Sequence, residues 1–127
     1  MPLNVELVKQ WIEALESGKY KKGNLQLRRG DCFCAVGVLC DVIDPKLWVR
    51  AYNSIIITSD EPNPDNLIEY SWNYNTCTTP ELAKKKIGLT VDDFNNIMKL
   101  SDLNNDFSPV VNKLNEFLGV HEAKSLI

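Results

Sequence analysis

The sequence predicts a single α+β domain. It has an N-terminal helix and a cysteine-rich buried helix with a small antiparallel sheet, followed by a C-terminal helical bundle. Three observations carry this. Apolar residues recur at helical spacing in the first seventeen residues and again in the last third. Residues that favour strands concentrate from Trp48 to Tyr74, around a polar loop. The chain has 127 residues with 44% hydrophobic and 24% charged, which suits one globular domain spanning 1–127 that needs no metal or disulfide to fold.

The first helix is expected over Leu3 to Ser17. Leu3, Leu7, Val8, Trp11, Ile12 and Leu15 share one face at period 3.6, while Lys9, Gln10, Glu13 and Glu16 take the other. Gly18 stands where a helix-ending left-handed residue is wanted. Lys19 to Phe33 reads as a loop or hairpin with turns at Gly23-Asn24 and Arg29-Gly30-Asp31. Leu25 and Leu27 alternate with polar residues as a short strand between those turns.

Cys34 to Ile43 is ambiguous by period, because it is apolar almost throughout. A short buried helix is favoured, capped by Asp31 or Cys32 and closed by Asp44-Pro45, since the residue before proline is pushed out of the α region. Gly37 inside it costs about 1 kcal/mol relative to alanine, which points to close packing against another element. Trp48 to Thr58 predicts one or two strands. Asp60 to Asn66 is a loop, and Leu67 to Tyr74 is the returning strand. Three further helix starts follow. Thr79-Pro80 opens Glu81 to Ile87, Thr90 to Asp93 opens Val91 to Leu100, and Ser108-Pro109 opens Val110 to Leu118. Gly88 and Gly119 mark ends, and 120–127 is expected to be a mobile or loosely docked tail.

The net charge is −3, but Lys19, Lys21, Lys22, Arg28 and Arg29 form a purely basic stretch. The remainder is strongly acidic, which argues against non-specific or sequence-specific nucleic-acid binding. The basic stretch itself suits a small anion or an acidic partner surface. The apolar run Phe33 to Cys40 is far shorter than the roughly 20 residues of a membrane span. With no secretory signal design at the N-terminus, a cytoplasmic protein with reduced cysteines and no membrane partner is expected.

The order of four segments carries a resemblance. They are WIEALESGKY, then LRRGDCFCAVGVLCDV, then TTPELAKKKIGLT, then FNNIMKLSDLNNDFSPVVNKLNEF. From about Trp11 to Phe117 this resembles a family of small proteins encoded by tailed bacteriophages and related elements, with an FCxxGVLCD hallmark at Phe33 to Asp41. Ala35 replaces a second cysteine usual there, and the C-terminal "LND" is spread over Leu103 to Asp106. The resemblance implies a phage accessory protein in the host bacterial cytoplasm. It supplies no catalytic residues, because the family has no settled activity.

The chemistry-bearing residues are weighed individually. Cys32, Cys34, Cys40 and Cys77 lack the paired spacing of structural zinc sites, so no metal is expected. Asp102 to Lys113 lacks the glycine and glutamate of a calcium loop, and Asp106 or Ser108 reads as a helix cap. Cys34 is the one candidate nucleophile, since a helix N-terminus and nearby Arg28 and Arg29 would lower a thiol pKa. The single histidine, His121, is remote in sequence, and no cofactor motif is present. Binding is the preferred reading. Tyr20, Lys21, Lys22, Arg28, Arg29, Arg50 and Trp72 supply the rings and cations that grip a nucleotide-type anion through stacking and charge-assisted hydrogen bonds. Trp48, Tyr52, Tyr70 and Tyr74 are further rings. The same residue types suit a host-protein interface or a second copy of the chain. The expected function is a non-enzymatic phage accessory protein that antagonises a host process, defence included. The alternative is a cysteine-dependent enzyme using Cys34.

Overall fold

The computed structural model describes residues 3–23, 27–52, 55–56, 69–72 and 80–125. The fold is α+β, as the patterning predicts. Helix α1 (Val5–Glu16) begins where Asn4 accepts a hydrogen bond from the Leu7 N–H through its side chain, and it buries Leu7, Val8, Trp11, Ile12 and Leu15. That is the predicted face, because period 3.6 places these five on one stripe. Gly18 follows with φ +75°, the left-handed geometry that ends helices.

Three short strands come next: β1 (Lys21–Lys22), β2 (Arg28–Arg29) and β3 (Cys32–Phe33). Gly30 has φ +60°, which lets β2 turn directly into β3, pairing Arg29 with Cys32 and Arg28 with Phe33. The strand expected around Leu25 and Leu27 is displaced. Leu25 lies outside the described residues, and Leu27 is a core residue just before β2. Strands β4 (Trp48–Tyr52), β5 (Ile55–Ile56) and β6 (Glu69–Trp72) complete a six-stranded sheet of order β1-β3-β2-β6-β4-β5. The sheet is mixed rather than purely antiparallel, because β1 pairs parallel with β3. The antiparallel expectation assumed that neighbours in sequence pair. Instead β1 joins the β2–β3 hairpin at its far edge, beside β3. The Asp60–Asn66 loop, the ends of the Leu67–Tyr74 segment, Thr79 and Cys77 lie outside the described residues.

Helix α2 (Ala35–Ile43) is the centre of the core. Ala35, Val36, Val38, Leu39 and Cys40 have no exposed surface, as a helix apolar on all sides requires. It packs against α1 and against α3 (Glu81–Ile87) and α4 (Val91–Asp102). Its cap is neither Asp31 nor Cys32. Cys34 stands at the cap, its Sγ accepting from the Gly37 N–H at 3.4 Å. Two distant side chains hold the first turn as well: Trp11 Nε1 donates to the Ala35 carbonyl at 2.9 Å, and the Ala35 N–H donates to Ser101 Oγ at 3.0 Å. The close approach expected at Gly37 is real, since a Cβ there would overlap the Leu27 carbonyl oxygen and lie 2.7 Å from its carbon.

The C-terminal helices pack on α1 and α2 rather than forming a separate bundle. Pro80, not Thr79, occupies the cap position of α3, and Gly88 at φ +74° ends it. Thr90 caps α4 as predicted, accepting from the Asp93 N–H. Helix α5 (Ser108–Ser125) runs through Gly119 instead of stopping there. Asp106 Oδ1 accepts from the Ser108 N–H at 2.9 Å just before it, one of the two caps predicted.

Candidate ligand-binding site

The basic stretch does not form one patch. Successive residues of a strand point to opposite faces, so each pair of cations is split. Lys21 is exposed and pairs with exposed Asp31 at 3.0 Å, a contact of little energetic weight in water. Lys22 turns inward. Its Nζ donates to the Ser101 carbonyl at 2.6 Å, near the C-terminal end of α4, and to the Gly23 carbonyl at 2.9 Å. Burial lowers its pKa. Arg29 is exposed, and Lys19 sits over the Tyr20 ring at 5.8 Å.

Arg28 is different. Its guanidinium lies 4.0 Å from the centre of the Tyr70 ring, 5.0 Å from Phe33 and 5.5 Å from Trp48. Its Nε donates to the Gly30 carbonyl at 2.8 Å, which ties one edge of the group to the β2–β3 turn. The rings pack edge to face in a chain: Tyr20 on Phe33 at 5.0 Å, Phe33 on Trp48 at 5.9 Å, and Trp48 on Tyr70 at 6.4 Å. Such geometry places positive ring edges on negative ring faces. Asp41, on the last turn of α2, holds the chain from behind. One carboxylate oxygen accepts from the Tyr20 hydroxyl at 2.5 Å and the other from Trp48 Nε1 at 3.0 Å. Burial first, and then the bond to Asp41, push the Tyr20 hydroxyl well above its ordinary pKa, so it remains a neutral donor. Arg28, Trp48, Tyr70, Tyr20 and Asp41 are all partly exposed. The cluster therefore reaches solvent while resting on the core through buried Phe33. A guanidinium stacked in this way keeps its planar donors for carboxylate or phosphate oxygens.

The structure thus keeps Arg28 and Tyr20 together and sets Lys21, Lys22, Arg29 and Trp72 apart from them. Trp72 has no exposed surface, and its Nε1 donates to the Asp44 carbonyl at 2.9 Å. It is a core residue that no ligand reaches; it shares a face of β6 with Tyr70, two residues away, but Tyr70 is partly exposed and Trp72 is not. Strand register sets Arg50 opposite Tyr70. Tyr74 lies outside the described residues. Phe33 and Asp41 were not singled out by sequence reasoning for this cluster. Their one signal was membership of the FCxxGVLCD segment, where Asp41 is a charge closing an apolar helix.

Cys34 does not match its nucleophile reading. It is buried, and burial raises its thiol pKa despite the N–H groups of the helix start. Desolvation outweighs the helix dipole here because the thiolate would have almost no contact with water. Cys40 is raised further by the same cause. His121 lines a groove of about 370 Å³ with Leu3, Thr90 and Phe117, on other elements. Another groove, of about 660 Å³, runs between α3 and α4 along Leu82, Lys85, Leu89 and Val91. Neither includes a residue of the Arg28 cluster. Among the described residues, no group of three or more histidine, cysteine, aspartate or glutamate side chains is arranged to hold a metal, and no helix is long and apolar enough to cross a membrane.

No curated protein and no solved structure matches the chain. Residues 3–118 match the family described as Domain of unknown function (DUF8296), and the chain belongs to that family.

Proposed function

We propose that this protein is a phage-encoded accessory protein that acts in the host bacterial cytoplasm by binding, and that it withholds a small nucleotide-type anion from a host process such as defence. One observation carries the reading: the Arg28 guanidinium is fixed over Tyr70, Phe33 and Trp48 at a partly exposed site. Phosphate oxygens suit its planar donors, and a flat base suits the adjoining rings. A cysteine-dependent reaction has no comparable support, since the Cys34 thiol is buried and its pKa is raised.

The test is capture. Purified protein is exposed to lysate of infected cells, washed, and the retained small molecules are identified by mass spectrometry. The wild type is expected to retain a phosphorylated compound that Arg28→Glu, folded by circular dichroism, does not. Retention of the same compound by both proteins would overturn the site. Retention of a host protein and no small molecule would overturn the ligand class.

A further inference from the structure

Large apolar side chains left in water are few on this molecule, and they are unevenly placed. Among the described residues three are more than half exposed: Val91 at 56%, Val120 at 51% and Leu103 at 77%. Val91 lines the groove between α3 and α4, and Val120 lines the neighbouring groove with Phe117 of α5. The two grooves share Gly88, Leu89 and Thr90. They therefore form one band with Leu89 at its middle. The rim carries opposite charges at the two ends. Lys84 and Lys85 border the first groove, and Asp93 and Glu116 border the second. Lys84 is answered by Glu81 beside it at 3.3 Å, and Glu116 by Lys113 at 3.4 Å. Lys85 and Asp93, four residues before and after Leu89, have no ion-pair partner among the described residues.

We infer that this band is where a second copy of the chain docks, across a two-fold axis that passes near Leu89. A two-fold axis at the middle of a surface lays each end of one copy on the opposite end of the other. Here it sets the first groove of one copy against the second groove of its partner. Lys85 of each copy then meets Asp93 of the other, and Val91 meets Val120. One rotation thus pairs unlike charges and takes both exposed valines out of water, so the face is complementary to itself. The charges also suit their own helix ends, lysine closing α3 and aspartate opening α4. The exposed valines have no such local use, and an apolar surface gains only by leaving water. An interface confined to parts of three helices lies at the low end of the sizes of specific interfaces, so the dimer is weak and reversible.

Sedimentation velocity of the full chain, over a concentration series reaching the millimolar range, tests this. The wild type is expected to pass reversibly from monomer to dimer. Lys85→Glu and Asp93→Lys, each folded by circular dichroism, should weaken self-association about tenfold, because two-fold symmetry turns two attractive pairs repulsive at once. An equimolar mixture of these two variants should regain wild-type affinity, since every altered charge then meets its opposite in the other chain. A folding defect would not be cured by mixing. Val120→Ser should weaken association as much as either charge reversal, and Leu103→Ser, outside both grooves, should leave it unchanged. A wild type that stays monomeric at every concentration overturns the inference. So does a dimer indifferent to Lys85→Glu, Asp93→Lys and Val120→Ser, which seats the second copy elsewhere. A mixture that associates no better than its two components overturns the two-fold arrangement and the inference with it.

Discussion

Gly37 is where local preference and packing oppose each other. In a helix interior alanine is favoured over glycine by about 1 kcal/mol. Here a Cβ would overlap the Leu27 carbonyl. That carbonyl also accepts the Cys34 N–H at 3.2 Å, so it cannot retreat without losing a bond at the start of α2. Gly37→Ala is expected to destabilise the protein by a net of roughly 2 kcal/mol or more, since overpacking against backbone typically costs 1–3 kcal/mol and the neighbour here is pinned. Urea denaturation measures it, and a variant as stable as wild type would show that the contact relaxes freely. The glycine's cost was legible in the sequence, but its neighbour was not. The same holds at Arg28. Its charge marked it as a candidate, whereas its stacking partners come from positions 33, 48 and 70, which only strand pairing brings together.

Helix starts show which local rules survive folding. Thr90 caps α4 through its own side chain, and Thr90→Ala should cost about 1 kcal/mol. Asn4 has two duties. It accepts from the Leu7 N–H at 3.1 Å and donates from its amide to the Lys86 carbonyl at 3.1 Å, fastening the start of α1 to the end of α3. Asn4→Ala is therefore expected to cost more than Thr90→Ala, roughly 2 kcal/mol, as a cap and a hydrogen bond are lost together. Thermal unfolding of the two variants side by side decides it, and equal losses would mean that the link to α3 contributes nothing. Ser, Thr, Asn and Asp caps are readable because their oxygens suit the exposed N–H groups. The start of α2 was misread because its cap is a thiol, reinforced by Trp11 and Ser101 from other helices.

For the whole molecule, the buried thiols link folding to alkaline pH. Burial raises the pKa of Cys34 and Cys40 in the folded protein. Their contribution to stability is fully present below the unfolded value near pH 8.5 and is lost as pH rises from there toward the folded values, because the unfolded chain releases protons that the folded chain keeps. Stability is expected to fall between about pH 8.5 and 10, by at most about 1.4 kcal/mol per pH unit for each thiol. Tyr20, raised chiefly by burial and then by Asp41, adds to the loss above about pH 10. Cys40→Ala should flatten the slope. Denaturant melts at a series of pH values test this, and a slope that Cys40→Ala leaves unchanged would assign the loss to other groups.

The sequence by itself determined the α+β class, the buried face of α1, the buried character of α2, the two long strands and the capped start of α4. These follow from periodicity and from side chains that act within a few residues of themselves. Tertiary structure decided the parallel β1–β3 pair, the length of α5, the burial of Trp72 and the division of one basic stretch into separate fates. It also decided that Arg28 rests on three rings at once. The physical reason is that period and capping are local properties of the chain. Strand order, register and the face a side chain presents depend on which distant segments exclude water together.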